Sequence, residues 1–394
     1  MTSSVYIAKN VYGGDGLGRL GDGRVIFVPG AFAGEHVKAE ITEEKRSYVK
    51  SRLVEVEEPS PERISGLARV PGMVYADLSY KGEIAAKDAQ LREFFERARI
   101  EAGEWKKPVA AGFRELNYRN KAVYHFAKEK GKWVLGYRVE PGHTIVDIES
   151  DPLVVPEINA KLPEIRKQVF LMLTSGAGAV RRSVEAAGNV TVRWTRLSGV
   201  QWWLGKAPAN LVLKETTLGK TFEVPADGFY QVNPEIGEEL VKAAAAEFAA
   251  APTKRLLDLY CGVGVFGLAL KPEELTGIES GVQAIACAKK NAAMQGAANA
   301  EFHSGEVGRN LRRIRVTPET TVVVDPPRGG MEPNVPKWLA ASGAARIFYV
   351  SCDPATMTRD LRTLARNYRI DSVRLFNMFP RTARFETLAI LSRK

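Results

Sequence analysis

The strongest constraint on the fold is a buried strand that runs into a glycine-rich turn. Residues 256–267 read LLDLYCGVGVFG, an aliphatic strand followed by a GxGxxG turn and the start of a helix. Glycines at this spacing permit a tight turn and let the backbone approach a ligand at the helix start. After Gln231, further strand-like and helix-like segments alternate, which predicts a doubly wound, mostly parallel α/β sheet of the Rossmann-like type. The final segments, SVRLFNMF and ETLAILSR, are expected to close the edge of that sheet.

The first half of the chain has a different pattern of predicted strands and helices. Residues 5–58 alternate short strand-like runs with glycine turns, which predicts a small β-barrel, and Pro59-Ser60-Pro61 then reads as a linker. Residues 81–98 have the apolar periodicity of an amphipathic helix. Residues 112–222 are again rich in strand-like segments, with a hairpin expected around Glu129-Lys130-Gly131. We therefore expect two smaller β-rich units beside the α/β sheet.

Charge and composition limit the class of protein. The 394 residues carry a formal charge of +10, which suits a polyanionic partner such as nucleic acid, although charge alone leaves an indifferent basic surface equally open. The three cysteines and four histidines are scattered, which argues against a disulfide framework or a metal site. The sequence has no long apolar run and no secretory leader at its start, so we expect a cytoplasmic protein that does not bind membranes. We also expect a monomer, although no feature of the sequence reports the oligomeric state.

The glycine turn is strengthened as a cofactor site by an acidic residue on the next strand. Glu279 ends that strand, in the usual place for a carboxylate that binds a ribose diol. NAD and S-adenosylmethionine both contain such a ribose, so this pair of features does not choose between them. The D-x-x-C-G-x-G order that starts at Asp258 resembles the first motif of class I methyltransferases, which favours S-adenosylmethionine. A tight packing turn without a ligand is the alternative.

Two further segments place reactive side chains after sheet strands. Asp325-Pro-Pro-Arg328 follows TTVVV, and Cys352 follows IFYVS, so both should lie at the carboxyl edge of the sheet, where ligands of open α/β folds bind. Methyltransferases that act on exocyclic amines usually have an aromatic residue at the position of Arg328, where it stacks on the target base, so Arg328 argues against that target. A thiolate at Cys352 is a good nucleophile, and its acidity should depend on a neighbouring positive charge such as Arg328.

Nucleophile and base together suggest a reaction. Carbon 5 of uracil is unactivated, and attack of a thiolate on carbon 6 generates an enolate that can accept a methyl group at carbon 5. A base must then remove the proton from carbon 5, and Glu386 in RFET is the candidate. Taken singly, a cysteine after a strand is more often a packing residue, and a lone glutamate is more often a solvated charge.

The motifs FYQVN, DLYCGVG, DPPR, SCDPAT and RFET occur in this order, and together they resemble the RNA uracil-5-methyltransferase family, which acts on transfer RNA or large-subunit ribosomal RNA. The resemblance spans nearly the whole chain. It implies a TRAM domain at residues 1–62, which is an OB-like RNA-binding barrel. It also implies a central RNA-binding domain of residues 63–80 and 112–222, and a catalytic domain of residues 81–111 and 223–394.

The resemblance also implies roles for individual residues, with Cys352 and Glu386 as the catalytic pair. The expected substrate-binding residues are Gln231, Asp325 and Arg328. The expected cofactor-binding residues are Phe229, Gln231, Tyr260, Gly262, Gly264, Glu279 and Asp325. Many TRAM-bearing members hold an iron-sulfur cluster, but Val70, Met73 and Asp151 stand where three of its cysteines are expected, so no cluster is predicted.

The leading hypothesis is S-adenosylmethionine-dependent methylation of uracil carbon 5 in structured RNA, with 23S rRNA favoured and tRNA possible. One alternative is an RNA cytosine-5 methyltransferase, an enzyme class that commonly uses two cysteines near its substrate, whereas only Cys352 is well placed here. A second alternative is a catalytically silent RNA-binding protein or RNA chaperone.

Overall fold

A computed structural model describes residues 2–110, 112–139, 144–311 and 314–394. The N-terminal segment forms a closed barrel with strand order β1-β2-β3-β5-β4. Its strands are β1 (Thr2–Asn10), β2 (Gly16–Arg19), β3 (Val25–Val28), β4 (His36–Glu44) and β5 (Tyr48–Glu58). Alternate residues such as Val5, Ile7 and Ile26 point into the barrel and are almost fully buried, as expected for period-two strands. The predicted barrel is confirmed.

A long helix and a short strand follow. Helix α1 (Tyr80–Ala98) begins at Ser79, whose side chain accepts a hydrogen bond from the Gly82 N–H, and it ends at Arg99 in the left-handed region with φ 54°. Strand β6 (Glu104–Val109) then pairs in parallel with a strand near the C-terminus of the chain. Both elements therefore pack against the C-terminal part of the chain, since Leu91 and Phe95 of α1 share an apolar core with Leu361.

The central β-rich unit is a five-stranded antiparallel sheet of order β11-β10-β7-β8-β9 with helix α2 packed in the same core. Its elements are β7 (Lys121–Glu129), β8 (Lys132–Val139), β9 (Thr144–Asp147), α2 (Pro156–Ser175), α3 (Gly178–Ala187), β10 (Asn189–Thr195) and β11 (Gly199–Leu204). The predicted hairpin turn lies between β7 and β8, as the sequence indicated.

Side chains of ordinary packing type occupy the three positions where the resemblance expects cluster cysteines. Val70 and Met73 lie in the apolar core of the central unit, 5% and 6% exposed. Asp151 is fully buried and accepts hydrogen bonds from the Tyr137 hydroxyl at 2.5 Å and the Tyr124 hydroxyl at 3.3 Å. These contacts satisfy the polar group that the core encloses.

A two-stranded antiparallel sheet of β12 (Val212–Thr217) and β13 (Lys220–Pro225) joins the central unit to the α/β unit. The predicted boundary between residues 222 and 223 falls inside β13. Phe222 and Val224 are both buried in the same core as Leu240 of the following helix. Strand β13 therefore packs with the α/β unit, whereas Leu213 of β12 packs against Trp203 of the central unit.

The α/β unit is built on an eight-stranded sheet, in the described part of the chain, with order β16-β15-β14-β17-β18-β20-β19-β6. Its strands are β14 (Arg255–Leu259), β15 (Glu274–Glu279), β16 (Ala300–Ser304), β17 (Thr320–Val324), β18 (Arg346–Ser351), β19 (Tyr368–Phe376) and β20 (Glu386–Arg393). Its helices are α4 (Pro234–Ala250), α5 (Val265–Leu270), α6 (Val282–Met294), α7 (Val307–Asn310), α8 (Val335–Ser342) and α9 (Pro354–Leu364).

Strands β14 to β18 run parallel, β20 is antiparallel to both of its neighbours, and two separate apolar cores cover the two faces of the sheet. The Rossmann-like prediction is confirmed. The expectation that β19 and β20 close the sheet is wrong, because β6 adds a further strand outside β19. No periodicity in the sequence reports such a distant pairing.

Candidate active site

The reactive side chains lie together at one edge of the large sheet because its register aligns the strand ends. Leu259 pairs with Val324, and Val324 pairs with Tyr349, so Tyr260 and Asp325 follow β14 and β17 at the same level. Beyond β17 lies β18, and beside it β20 runs in the opposite direction, so β20 begins at this edge with Glu386. The carboxyl ends of parallel strands are the usual ligand crevice of such folds.

The glycine turn has the backbone geometry that the sequence predicted. Tyr260, Gly262 and Gly264 have φ of 63°, 53° and 85°, which is the left-handed region where glycine is favoured. This conformation strains the backbone of Tyr260, because Tyr260 is not a glycine. The Tyr260 hydroxyl donates a hydrogen bond to the Glu332 carboxylate. Gly264 directly precedes α5 and donates its N–H to the Cys261 carbonyl at 2.8 Å.

Two carboxylates hold this turn from below. The Gly262 N–H donates to Glu279 Oε2 at 3.3 Å, and the Gly281 N–H donates to Glu279 Oε1 at 2.7 Å. Asp258, only 1% exposed, accepts from the Gly267 N–H at 2.9 Å through one oxygen. Burial, with help from nearby carboxylates, raises the pKa of Asp258 to about 7.

A cavity lies in front of the turn, between β14, β17 and the start of α4. Five of the seven predicted cofactor residues line it, namely Phe229, Gln231, Tyr260, Gly262 and Asp325. Gly264 and Glu279 do not line it: Gly264 is part of the turn itself, and Glu279 accepts a hydrogen bond from the Gly262 N–H. Phe229 is 66% exposed, which is unusual for a phenylalanine, and it forms part of the cavity rim.

The central unit positions the loop that carries Gln231. The Asn120 N–H donates to the Val232 carbonyl at 2.9 Å, and the Asn120 side chain donates to the Gln231 carbonyl at 3.3 Å. Asn120 is 1% exposed and also accepts from the Trp194 N–H. The cavity wall therefore depends on contacts between two units of the chain.

Cys352 and Glu386 are neighbours across the ends of β18 and β20. Ser351 pairs with Thr387, and continuing this antiparallel register brings the next residues, Cys352 and Glu386, opposite each other. Residues opposite in such a pair have Cα atoms about 4.5–5.5 Å apart. Cys352 is half-buried, whereas Cys261 and Cys287 are buried. Glu386 is 4% exposed, and its Oε2 has no hydrogen-bond partner among the described residues.

Burial, as well as the neighbouring charges, sets the pKa of the Cys352 thiol. Burial raises the pKa of Cys352 to about 12, and the Glu386 and Asp325 carboxylates add to the increase. Arg328 lowers this pKa, as expected, but its effect is smaller than theirs. Arg328 therefore acts in the predicted direction, but burial and the two carboxylates outweigh it in the protein alone.

The carboxylates of this cluster also resist ionisation. Burial raises the pKa of Glu386 well above its ordinary value, with Asp325 adding to the increase and Arg328 opposing it. Burial likewise raises the pKa of Asp325 to about 7. A crevice that encloses several carboxylates beside a thiol favours a cationic ligand, since a positive charge would offset their mutual repulsion.

Comparison with known proteins identifies the family. Residues 5–54 match the TRAM domain, and residues 210–394 match the tRNA (uracil-5-)-methyltransferase family. The 23S rRNA (uracil(1939)-C(5))-methyltransferase RlmD of Pseudomonas entomophila is 31% identical over an alignment that covers 96% of this chain and 91% of that protein. This chain belongs to the RNA uracil-5-methyltransferase family.

Other comparisons agree with this placement. An uncharacterised RNA methyltransferase of Nostoc sp. is 29% identical over 96% of this chain and 93% of that protein. A crystal structure of the Pyrococcus abyssi tRNA (uracil-54, C5)-methyltransferase, in complex with S-adenosyl-L-homocysteine, has the same fold, with a TM-score of 0.74 and 22% identity. That match covers 98% of this chain and 99% of the archaeal chain.

Sequence reasoning missed part of the cavity wall of this methyltransferase. The missed residues include Thr217, Tyr230, Pro234, Gly237, Glu238, Val241, Val265 and Phe266. Four of them, Pro234, Gly237, Glu238 and Val241, have the i, i+3, i+4, i+7 spacing of one helical face of α4. The sequence signal that could have indicated this wall is the presence of a glycine and a glutamate on an otherwise apolar helical face.

Among the residues that the structure describes, no helix is both long and apolar enough to span a membrane. In the same ranges, no group of three His, Cys, Asp or Glu side chains is arranged to hold a metal ion.

Proposed function

We propose that this protein methylates carbon 5 of a uracil in structured RNA, with S-adenosylmethionine as methyl donor, Cys352 as covalent nucleophile and Glu386 as base. The observation that carries the proposal is the opposition of Cys352 and Glu386 across two paired strand ends, beside Asp325 and the glycine-turn cavity. A nucleophile and a base within reach of one ring are what this substitution requires.

The residues around the cavity fit the proposed donor. Tyr260 and Gly262 would contact it along the turn, Phe229 offers an aromatic face at the rim, and Glu279 lies under the turn as a carboxylate for a ribose. Asp258 keeps one buried oxygen without a hydrogen-bond partner among the described residues. Enclosed carboxylates suit a sulfonium cation better than a neutral or anionic dinucleotide. S-adenosylmethionine, when bound, supplies an electrophilic methyl group.

The raised pKa values give the site an order of events. Cys352 and Glu386 resist ionisation in the free protein. A positive charge bound in the adjacent cavity would lower the pKa of both. We infer that the thiolate and the carboxylate form once donor and RNA are in place. This arrangement protects the thiol from adventitious reaction between turnovers.

The proposed reaction passes through a covalent bond between Cys352 and the uracil ring. The Cys352 thiolate forms a bond to carbon 6, and the electron pair of the ring double bond moves to the carbonyl at carbon 4 as an enolate. Carbon 5 of this enolate accepts the methyl group, and the electron pair of the bond between that methyl group and the donor's sulfur would stay with the sulfur, which would leave as neutral S-adenosylhomocysteine. Glu386 removes the remaining proton from carbon 5, and the electron pair re-forms the ring double bond as the bond from carbon 6 to sulfur breaks. Gln231, Asp325 and Arg328 are proposed to hold the uracil during these steps.

We favour 23S rRNA over tRNA as the substrate, which is supported by the names of full-length relatives such as RlmD of Pseudomonas entomophila and RlmD of Methylococcus capsulatus. We also propose that the protein is a cytoplasmic monomer with an RNA-binding barrel at residues 1–62. The central unit at residues 63–80 and 112–222 is proposed to bind RNA. Residues 81–111 and 223–394 are proposed to form the catalytic domain, with the β12–β13 hairpin packed against it.

Labelled S-adenosylmethionine and unmodified transcripts of 23S rRNA and tRNA test the reaction. Label in 5-methyluridine supports the proposal, and the RNA that carries it identifies the substrate. Label in 5-methylcytidine supports the cytosine alternative, and RNA binding without label supports the silent RNA-binding alternative.

The Glu386→Gln variant tests the roles of the pair. It should accumulate a covalent protein–RNA adduct that survives denaturing electrophoresis, because proton removal is blocked after the carbon–sulfur bond has formed. The adduct should be absent in Glu386→Gln combined with Cys352→Ala. Unimpaired turnover in Cys352→Ala would refute the nucleophile assignment.

A further inference from the structure

One side chain of the N-terminal barrel reaches the two segments that carry Cys352 and Glu386. Tyr12 lies in the turn between β1 and β2, and its hydroxyl accepts a hydrogen bond from Arg384 Nη1 at 2.6 Å and lies 3.4 Å from Asp353 Oδ2. Arg384 Nη1 also donates to Asp353 Oδ2 at 3.1 Å. Asp353 is the residue after Cys352, and Arg384 lies two residues before Glu386. We call Tyr12, Asp353 and Arg384 the bridge.

Aromatic side chains pack against the Tyr12 ring of the bridge. The Tyr12 ring meets Phe385 edge-on at 5.8 Å between centroids, and it meets Phe94 of α1 edge-on at 5.5 Å. The Arg384 guanidinium lies 5.4 Å from the centroid of the Tyr12 ring. Phe385, which is fully buried, separates Arg384 from Glu386 in the chain. Burial raises the pKa of Tyr12 to about 12, so its hydroxyl is neutral at physiological pH.

Asp353 has a second task that ties the bridge to the nucleophile. Its Oδ1 accepts from the Ala355 N–H at 3.1 Å and the Thr356 N–H at 3.0 Å, so it caps α9, while its Oδ2 faces Tyr12 and Arg384. This one carboxylate therefore links the helix start that follows Cys352 to the segment that carries Glu386.

We propose that Tyr12 is a positioning residue through which docking of the barrel holds the Cys352 and Glu386 segments in register. This inference rests on the proposed function and extends it, because it makes the RNA-binding barrel part of the alignment of the reacting groups. A barrel that is bound to RNA but displaced from the sheet would leave the nucleophile and the base out of alignment.

The test is Tyr12→Phe, which keeps the two edge-on ring contacts and removes only the hydroxyl. The matched control is Tyr6→Phe, the same change on the same barrel at a side chain that is 51% exposed. We expect Tyr12→Phe to lower kcat roughly 10- to 100-fold, the rate equivalent of one hydrogen bond to a charged group. The Kd for RNA and the Tm should match those of the control.

A purely structural role predicts a different pattern. If Tyr12→Phe keeps wild-type kcat, or if its loss appears only as weaker RNA binding or a lower Tm, the inference is refuted. If the wild-type protein forms no 5-methyluridine at all, the proposed function has failed instead. The two failures are therefore distinguishable.

A second measurement needs neither RNA nor methyl donor. The charged and titratable groups that influence the Cys352 thiol are Glu386, Asp325, Arg328 and Asp353. Arg384→Gln removes the cation that pairs with Asp353, so iodoacetamide should alkylate Cys352 more slowly at each fixed pH, and Arg384→Lys should restore the rate. Buried Cys261 and Cys287 serve as internal references. An unchanged alkylation profile in Arg384→Gln would contradict electrical contact between the bridge and the nucleophile.

Discussion

The clearest energetic contrast in the molecule lies on helix α1, where two ion pairs share the same spacing but differ in burial. Glu83 and Lys87 are both fully buried and 2.7 Å apart, whereas Asp88 and Arg92 form an i,i+4 pair at 2.7 Å with side chains 24% and 40% exposed. Breaking a buried pair leaves an uncompensated charge and costs about 3–5 kcal/mol. Breaking an exposed pair costs less than about 1 kcal/mol.

We therefore expect Glu83→Gln to lower the free energy of unfolding by about 3–5 kcal/mol, and Asp88→Asn to lower it by less than about 1 kcal/mol. Glu83 has additional partners that support the larger value. It accepts from the Asn377 side chain and from the Arg381 N–H, each at 3.0 Å. Burial lowers the pKa of Lys87, so loss of its proton in the variant would limit the cost to the lower end of this range.

Urea unfolding followed by circular dichroism and tryptophan fluorescence measures both variants. The double variant Glu83→Gln/Lys87→Met should be more stable than Glu83→Gln alone, since it removes the unpaired charge. Because Asn377 and Arg381 lie in the segment that leads to Glu386, Glu83→Gln should also reduce kcat, whereas Asp88→Asn should not. Equal costs for Glu83→Gln and Asp88→Asn would refute the reasoning.

Three further changes test the turn and its cavity. Gly267→Ala places a Cβ 2.6 Å from Leu275 Cδ1 and 3.1 Å from Asp258 Oδ2, and should cost about 1–3 kcal/mol in urea unfolding. The pKa of Asp258 rises from 3.8 to about 7 on folding, so the folded chain binds more protons than the unfolded chain across this range. Its contribution to stability therefore falls as pH rises, and Asp258→Asn should flatten that part of the pH dependence of the urea midpoint. Phe229→Ala should weaken S-adenosylmethionine binding roughly tenfold by calorimetry, the scale of one base–aromatic stack, while the Tm stays near wild type because the ring is exposed.

Local pattern was sufficient to predict much of this protein from sequence. The glycine turn, the strand ends that carry Asp325 and Cys352, and the barrel each depend on residues that are close in the chain. The family resemblance placed residues 81–111 with the catalytic domain, but the pairing of β6 with β19 and the contacts of Tyr12 were out of reach of local pattern, because these partners are more than two hundred residues apart in sequence. The high pKa of Cys352 was missed for a related reason, since burial is a property of the assembled crevice.

The pairing of β6 with β19, which lies far away in sequence, has a consequence for producing parts of this protein. A fragment that starts at residue 210 would contain the whole segment matched by the methyltransferase family, yet it would lack β6 and α1. Strand β19 would then present an unpaired backbone edge to solvent, and such edges template aggregation. Recombinant production of this segment alone should therefore give insoluble material, whereas tethering residues 80–109 to it should yield a soluble enzyme core.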